Sequence, residues 1–268
     1  MVKVIDVFPF YNELEMLEFR FAELYDVVDH FVIVEAAHTY VGNPKPYYYE
    51  ENQERYAKYK DKIIHIKVAD MPNTGDPWIN EEHQRDCGIW GILEVPGLDE
   101  RDIVISTDCD EVMNSNSIRQ FKFMIEQNNL TDYLYNLKMV LYYYNLENKR
   151  DEYWDMGKIM SYKSLCGNNG KLHFVRTRPT LLNMYIETLP RCGWHFSYFG
   201  TPDAIRNKIQ NFSHQEFNNI KYTDVDKIAS KINESRDLFP TSIKWSRTEI
   251  AANDYLPNNW RILEKIGN

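Results

Sequence analysis

Residues 103–111 read IVISTDCDE, an apolar segment that runs directly into two carboxylates, Asp108 and Asp110. A continuous apolar run of this kind is typical of a β-strand that is covered on both faces. Three further strands are predicted upstream, over residues 2–7, 31–34 and 63–68. Helices are predicted between them, over residues 13–25, 50–59 and 79–93. This alternation predicts an α/β fold with a mostly parallel central sheet flanked by helices.

The second half of the chain has weaker patterns. Strands are predicted over residues 133–144 and 193–199, and helices over 204–209 and 224–232. No internal repeat and no Gly/Ser-rich linker divides the sequence, and 268 residues are within reach of one large α/β domain. We therefore predict a single domain over residues 1–268.

The acidic composition limits the classes of ligand. The formal net charge is −9, so the field of the whole protein would repel a polyanion, and we predict no nucleic-acid partner. The sequence contains none of the glycine-rich phosphate-binding motifs and has only 11 glycines. A nucleotide would therefore be bound through a metal ion rather than through a backbone cradle.

Targeting signals are not evident in this sequence. It has no recognisable signal peptide and no apolar stretch long enough for a transmembrane helix. The four cysteines lack the spacing of a zinc site or a disulfide framework. We therefore expect a cytoplasmic protein with reduced thiols and no transmembrane segment.

In an open parallel sheet, ligands bind at the edge that the carboxyl ends of the strands form. We expect the polar residues just after the four predicted strands to gather there. These residues are Asn12, Glu13, Glu35, Thr39, Asp70, Asp76, Asp108 and Asp110. Glu35 has two open interpretations, as a residue of a nucleotide pocket or as a charge that ends its strand in water.

The D-x-D pair is the strongest local signal for chemistry. Carboxylate oxygens suit Mg²⁺ or Mn²⁺, which share their coordination with water and substrate phosphates. Such a cation neutralises a leaving nucleoside diphosphate. His195 and His214 are candidates for a third ligand from the second half, and Arg85 could contact phosphate or pair with a helix carboxylate. A bare D-x-D also occurs in solvated turns, so its position after a buried strand matters.

Several ordered stretches form a more specific pattern than any one of them. They are residues 6–15 (DVFPFYNELE), 31–35 (FVIVE), 76–79 (DPWI), 84–86 (QRD), 108–111 (DCDE), 193–198 (GWHFSY) and 212–218 (FSHQEFN). Together they resemble glycosyltransferase family 17, whose best-known members add the bisecting N-acetylglucosamine to N-glycans. The resemblance covers roughly residues 4–220.

The resemblance implies a GT-A-like fold and an inverting transfer from a UDP-sugar, by default UDP-N-acetylglucosamine, to a glycan or glycoconjugate. About residues 1–112 would form the nucleotide-sugar-binding half and about 113–268 the acceptor-side half and C-terminal helices. The implied donor-binding residues are Phe8, Pro9, Asn12, Glu35, Arg85 and Asp108. The implied ligands of Mn²⁺ or Mg²⁺ are Asp108, Asp110 and His195.

An inverting transfer needs a general base for the acceptor hydroxyl, and a carboxylate usually fills this role. Asp155 and Glu187 are our candidates, and the alternative for each of them is a solvated surface charge. Two other functions stay open. One is a phosphohydrolase with a nucleophilic aspartate, but such motifs usually follow the first strand rather than the fourth. The other is a non-catalytic carbohydrate- or nucleotide-binding protein of the same fold.

Overall fold

A computed structural model describes residues 1–72, 74–177, 187–240 and 245–266. Its strands are β1 (Val4–Phe10), β2 (His30–Ala36), β3 (Ile63–Val68), β4 (Ile103–Ser106), β5 (Glu111–Met113), β6 (Leu134–Leu137), β7 (Met139–Tyr143), β8 (Asn145–Trp154), β9 (Lys158–Ser161), β10 (Glu187–Leu189), β11 (Gly193–Ser197) and β12 (Trp245–Arg247). Its α-helices are α1 (Leu14–Leu24), α2 (Tyr48–Glu51), α3 (Pro77–Asp86), α4 (Gly88–Leu93), α5 (Ser115–Asn128), α6 (Tyr162–Gly167), α7 (Leu172–Thr177), α8 (Pro202–Asn211), α9 (Ile220–Thr223) and α10 (Val225–Asn233). Short 3₁₀ helices cover Gln53–Lys62, Gln215–Phe217, Ile250–Ala252 and Trp260–Lys265.

The larger sheet has the strand order β10-β6-β9-β4-β1-β2-β3. Strands β1, β2, β3 and β4 are mutually parallel, and β9 joins β4 in the antiparallel sense. The carboxyl ends of β1, β2 and β4 therefore lie side by side at one edge. This arrangement confirms the α/β, GT-A-like class with a mostly parallel central sheet flanked by helices.

Alternation along β1 divides the interior into two cores, one on each face of this sheet. Val4, Phe8 and Phe10 pack into the core that α1 covers, whereas Ile5 and Val7 pack into the core beneath α4. Helix α4 approaches the sheet closely because a Cβ on Gly91 would lie 2.4 Å from Val32 Cγ1. The sheet is thus covered on both faces, as its apolar strands require.

A second sheet, with the order β12-β8-β7-β11-β5, receives the chain directly after the acidic motif. Strand β5 pairs with β11 in the antiparallel sense, and His195 is the register partner of Glu111. This close pairing depends on Gly193, where a Cβ would lie 2.4 Å from the Val112 carbonyl oxygen. The second sheet thereby places His195 beside the acidic motif.

Three predicted elements are wrong in their extent. The helix predicted over 79–93 is two helices, α3 and α4, because the chain turns at Cys87 and the glycine-bearing α4 lies directly on the sheet. The helix predicted over 50–59 is largely 3₁₀. The strand predicted over 133–144 is two strands, β6 and β7, which belong to different sheets. The division falls at Lys138, whose backbone amide donates to Leu189 and whose carbonyl accepts from Cys192.

In the part of the chain that the structure describes, no helix is both long enough and apolar enough to cross a membrane.

Candidate active site

A cleft of about 600 Å³ opens at the carboxyl ends of β1, β2 and β4 and extends to the second sheet. Among the described residues, five acidic and five basic side chains line it. The acidic residues are Glu13, Glu81, Asp108, Asp110 and Asp155. The basic residues are Lys45, Arg85, Arg150, Arg176 and Lys208. With histidines counted as neutral, the described lining is thus formally neutral, although the chain as a whole carries a charge of −9.

The acidic loop (residues 107–110, between β4 and β5) is braced from the protein interior by Arg20. Its Nη1 donates to the carbonyl oxygens of Asp108 at 2.8 Å, Cys109 at 3.2 Å and Glu111 at 2.8 Å. Asp6 of β1 accepts from the other edge of the guanidinium, with Nε donating to one carboxylate oxygen at 2.7 Å and Nη2 donating to the other. Burial disfavours the charge on Arg20, but Asp6 outweighs burial and raises the pKa of the guanidinium. The main-chain path of the loop is therefore fixed by a buried ion pair.

Asp108 faces two arginines across the cleft. Its Oδ1 lies 2.7 Å from Arg85 Nη2, and its Oδ2 accepts a hydrogen bond of 2.7 Å from Arg176 Nη2. The side chain is 34% exposed, whereas those of Arg85 and Arg176 are at most 5% exposed. Asp108 is therefore the accessible member of a largely buried charge cluster.

Glu111 anchors this cluster from below. Arg176 donates to both of its carboxylate oxygens, at 2.9 and 2.6 Å, and Trp154 Nε1 and the Asp108 amide also donate to it. Burial opposes the charge on Glu111, but Arg176 outweighs burial and lowers the pKa of the carboxyl to about 2. Glu111 is fully buried, so it supports the site without reaching the cleft.

Asp110 has a different environment. Its Oδ2 accepts a hydrogen bond of 2.8 Å from Lys208 Nζ, and its Oδ1 lies 3.6 Å from His195 Nε2. Burial would raise the pKa of Asp110, but Lys208 and then His195 outweigh it and hold that pKa well below its usual range. Asp110 is therefore ionised and faces a histidine ring nitrogen.

These residues fit a divalent cation that takes few protein ligands. Among the described residues, no group of three or more His, Cys, Asp or Glu side chains could hold a metal ion alone. Asp110 Oδ1 and His195 Nε2 supply two facing ligand atoms. Mg²⁺ commonly binds through one or two carboxylates and completes its sphere with water and substrate phosphates. A cation at this position would thus complete its coordination sphere with water, or with a phosphate when the donor is bound.

Helix α8 crosses the strand ends and makes a polar contact with a residue that follows each of three strands. Tyr11 donates to Asn207 at 2.9 Å, Asn43 donates to Asn211 at 3.2 Å, and Lys208 reaches Asp110. The three partners follow β1, β2 and β4. The helix therefore ties the C-terminal half to the edge where the sheet would bind a ligand.

The structure brings most of the predicted site residues together. The cleft is lined by Pro9, Arg85, Asp108, Asp110, Asp155, His195 and His214. Glu13 and Thr39 also line it, as expected of residues that follow strands. His214 is exposed, and its Nδ1 lies 2.7 Å from Glu216, whereas His195 lies beside Asp110. Of the two histidine candidates, the geometry favours His195.

Four predicted residues do not line the cleft. Phe8 is buried beneath the Arg20 guanidinium, 4.1 Å from ring centre to Cζ, and Asn12 is exposed outside it. Glu35 is fully buried, accepts from the Tyr49 amide and lies 3.0 Å from His65. Glu187 lies on β10, three strands from β4.

Asp70 and Asp76 also lie outside the cleft. Both were expected in it because they come after the third predicted strand. Asp70 is 83% exposed beside His83, and Asp76 caps α3 by accepting from the Trp78 amide. Their positions follow from β3 being the outermost strand of the sheet, one strand beyond β2. The cleft is therefore formed at the ends of β1, β2 and β4 and does not extend to the end of β3.

Four important residues were missed. Arg20 carried a usable signal, because it lies on the apolar face of α1 with Leu17, Phe21 and Leu24, where an unpaired charge is disfavoured. Asp6 inside an apolar strand was its visible partner. Glu111, Arg176 and Lys208 had no such signal, since their roles depend on contacts between distant segments.

The family model of glycosyltransferase family 17 matches residues 1–250. The chain belongs to glycosyltransferase family 17. The resemblance inferred from the ordered stretches is thereby confirmed. This family 17 chain is 23% identical over 251 residues to the β-1,4-mannosyl-glycoprotein 4-β-N-acetylglucosaminyltransferase of Rattus norvegicus and 22% identical over 253 residues to that of Homo sapiens. Each match covers 80% of this chain and 44% of the relative, so the chain spans less than half the length of these relatives.

Solved structures with a similar fold include S. aureus TarS 1-349, at 14% identity and a TM-score of 0.44 over 87% of this chain and 71% of that one. Another is 4-diphosphocytidyl-2C-methyl-D-erythritol synthase, at 12% identity and a TM-score of 0.41 over 72% of this chain and 90% of that one.

Proposed function

We propose that this family 17 chain transfers a sugar, by default N-acetylglucosamine, from a UDP-sugar to a hydroxyl of a glycan or glycoconjugate, with inversion at the anomeric carbon. The observation that carries the proposal is the acidic loop at the carboxyl ends of the parallel strands, braced from below and opening into a cleft of about 600 Å³. The names of the rat and human relatives support the choice of donor sugar.

The charge balance of the cleft supports a metal-dependent donor. In the described part of the lining, five acidic and five basic side chains already neutralise one another. A UDP-sugar would bring two negative charges, and Mn²⁺ or Mg²⁺ would bring two positive ones, so the pair enters without unbalancing the site. When bound, the cation would stabilise the negative charge of the departing diphosphate. Asp110 and His195 are the residues that would hold it.

Asp155 is the proposed base for the acceptor hydroxyl. It follows β8, is exposed and lines the cleft on the side of the second sheet. An exposed carboxylate can accept the acceptor proton as the hydroxyl attacks the anomeric carbon. Glu187, the other candidate, lies at the far edge of the larger sheet. The acceptor would thus enter over β8 and the donor over β1, β2 and β4.

The proposal is tested by calorimetric titration of UDP into the protein, first with Mn²⁺ and then with EDTA. We expect tight binding with Mn²⁺, and a marked weakening both in EDTA and in Asp110→Asn. Asp70→Asn is the matched control, because Asp70 is 83% exposed and lies outside the cleft. Absence of UDP binding by the wild type in both conditions would contradict the UDP-sugar donor.

A cytoplasmic location stays a prediction of the sequence.

A further inference from the structure

The two aspartates of the acidic motif look equivalent in the sequence but have unlike partners in the fold. Asp110 keeps one oxygen towards His195 and one towards Lys208. Asp108 has both oxygens within 2.7 Å of guanidinium groups. A carboxylate enclosed by two cations is a poor ligand for a third cation, because the nearby positive charges repel it. The environments therefore point to different roles.

Arg85 is the member of the cluster with unused donors. It is 3% exposed and lines the cleft, yet its Nε and Nη1 have no hydrogen-bond partner in the described part of the protein. Its approach to Asp108 is an ion pair without a hydrogen bond, since Asp108 Oδ1 also has no hydrogen-bond partner there. Buried donors without an acceptor are costly, so an anionic ligand at this position would relieve that cost.

Arg176 is by contrast fully engaged. It holds Glu111 with two hydrogen bonds and Asp108 with a third. Asp108 in turn lies against Arg85. These contacts form one chain that runs from buried Glu111 through Arg176 and Asp108 to Arg85. The chain fixes the position of the Arg85 guanidinium, which has donors left for a ligand in the described part of the protein.

We propose that Asp108 is a positioning residue, which together with Arg176 holds Arg85 so that Arg85 binds the donor diphosphate, while Asp110 and His195 hold the cation. This rests on the proposed function for the identity of the donor. A guanidinium suits the role because its planar fork matches two phosphate oxygens. With Arg85 in this role, the chain would bind a diphosphate without a glycine-rich loop.

The test measures two ligands separately, Mn²⁺ alone by electron paramagnetic resonance and inorganic pyrophosphate in EDTA by calorimetry at low ionic strength. In Asp110→Asn we expect Mn²⁺ affinity to fall by about tenfold or more, since one of two protein ligands is lost. In Asp108→Asn we expect it to change by less than about threefold. Asp108→Asn and Arg85→Gln should each weaken pyrophosphate binding by about tenfold.

The double variant Asp108→Asn with Arg85→Gln distinguishes positioning from general structural damage. If Asp108 acts through Arg85, the double variant binds pyrophosphate no more weakly than Arg85→Gln alone. Arg119→Gln on the exposed face of α5 is the matched control. Asp108→Asn is expected to fold, because Arg85 keeps Glu81 and Arg176 keeps Glu111 as partners. Arg85→Lys, which keeps the charge but loses the fork, should bind pyrophosphate as weakly as Arg85→Gln.

The proposal is overturned if Asp108→Asn loses Mn²⁺ as Asp110→Asn does, or if Arg85→Gln binds pyrophosphate like the wild type. Absence of pyrophosphate binding by the wild type in EDTA overturns it as well. None of these results touches the donor proposal, which UDP titration with Mn²⁺ decides in parallel. Pyrophosphate binding that depends on Arg85 without any UDP binding would retain the anion site and remove the UDP-sugar donor.

Discussion

The acidic loop separates two networks of cations and carboxylates that differ in exposure. The inner network, Arg20 with Asp6, is completely buried and holds the main chain of the loop. The outer network contacts the loop through its side chains, and its members Asp108 and Lys208 are 34% and 33% exposed. A buried pair has no other partner available, whereas an exposed one can exchange its partner for a ligand. Ion pairs of the same chemistry thus shape the loop on one side and can receive a ligand on the other.

The largest effect is expected on the inner side. Arg20→Met removes the buried guanidinium that donates to Asp6 and to the carbonyl oxygens of Asp108, Cys109 and Glu111. Removing one partner of a buried ion pair costs about 3–5 kcal/mol. We expect the free energy of unfolding in urea to fall by this amount.

Arg55→Met is the control for that experiment. Arg55 pairs with Glu15 and Glu18 on the same helix α1, but its side chain is 33% exposed. Exposed pairs contribute about 1 kcal/mol or less. Equal losses of stability in the two variants would show that burial does not distinguish the networks.

A pH effect is expected from Glu111, which joins the two networks. Its pKa falls from an ordinary 4.5 to about 2 in the folded protein. The carboxyl binds fewer protons when folded, so its stabilisation is fully present above pH 4.5 and is lost as the pH falls towards 2. The shift corresponds to about 3 kcal/mol at most. Urea unfolding measures the difference in stability between the wild type and Glu111→Gln. This difference should therefore shrink as the pH falls from about 5 to about 3. A difference that stays constant over this range would contradict the role of its charge.

The smallest effect is expected on the outer side. Lys208 lies against the Asp110 carboxylate that a cation would use. Lys208→Met removes this competitor, so we expect Mn²⁺ affinity to rise by about fivefold. The free energy of unfolding should change by about 1 kcal/mol or less. Paramagnetic resonance titration and urea unfolding measure the two quantities. Weaker Mn²⁺ binding in the variant would show that Lys208 supports the cation instead of competing with it.

The sequence was informative where a strand is covered on both faces. Residues Phe31–Val34 of β2 are all buried, and β4 is buried throughout, so their apolar runs are visible in the sequence. Strand β8 gave no such signal. The buried positions in its first half are Leu146, Asn148 and Arg150. Because two of these three residues are polar, the sequence lacks the alternation of apolar and polar residues that would indicate a strand. Helix α5 was also missed, although Asn114 caps its start by accepting from two amides.

The site divides in the same way. Asp108 and Asp110 were predicted because their motif follows a strand directly, and His195 because its flanking residues match a family stretch. Arg176 lies 68 residues from Asp108, and Lys208 lies 98 residues from Asp110. No local pattern of charge or periodicity indicates such contacts, because they exist only after the two sheets have packed. Prediction therefore reached Asp108, Asp110 and Arg85, and missed Arg176 and Lys208, the cations that come from the second half of the chain.

The three contacts of α8 also bear on how the protein is made. They join residues that are separated by 196, 168 and 98 positions along the chain. Closing loops of this length is slow and comes late in folding. Because a chain emerges from the ribosome N-terminus first, the strand ends of β1, β2 and β4 wait uncovered until residue 211 has been synthesised. A nascent chain that stops earlier carries the acidic motif but cannot assemble the complete cleft.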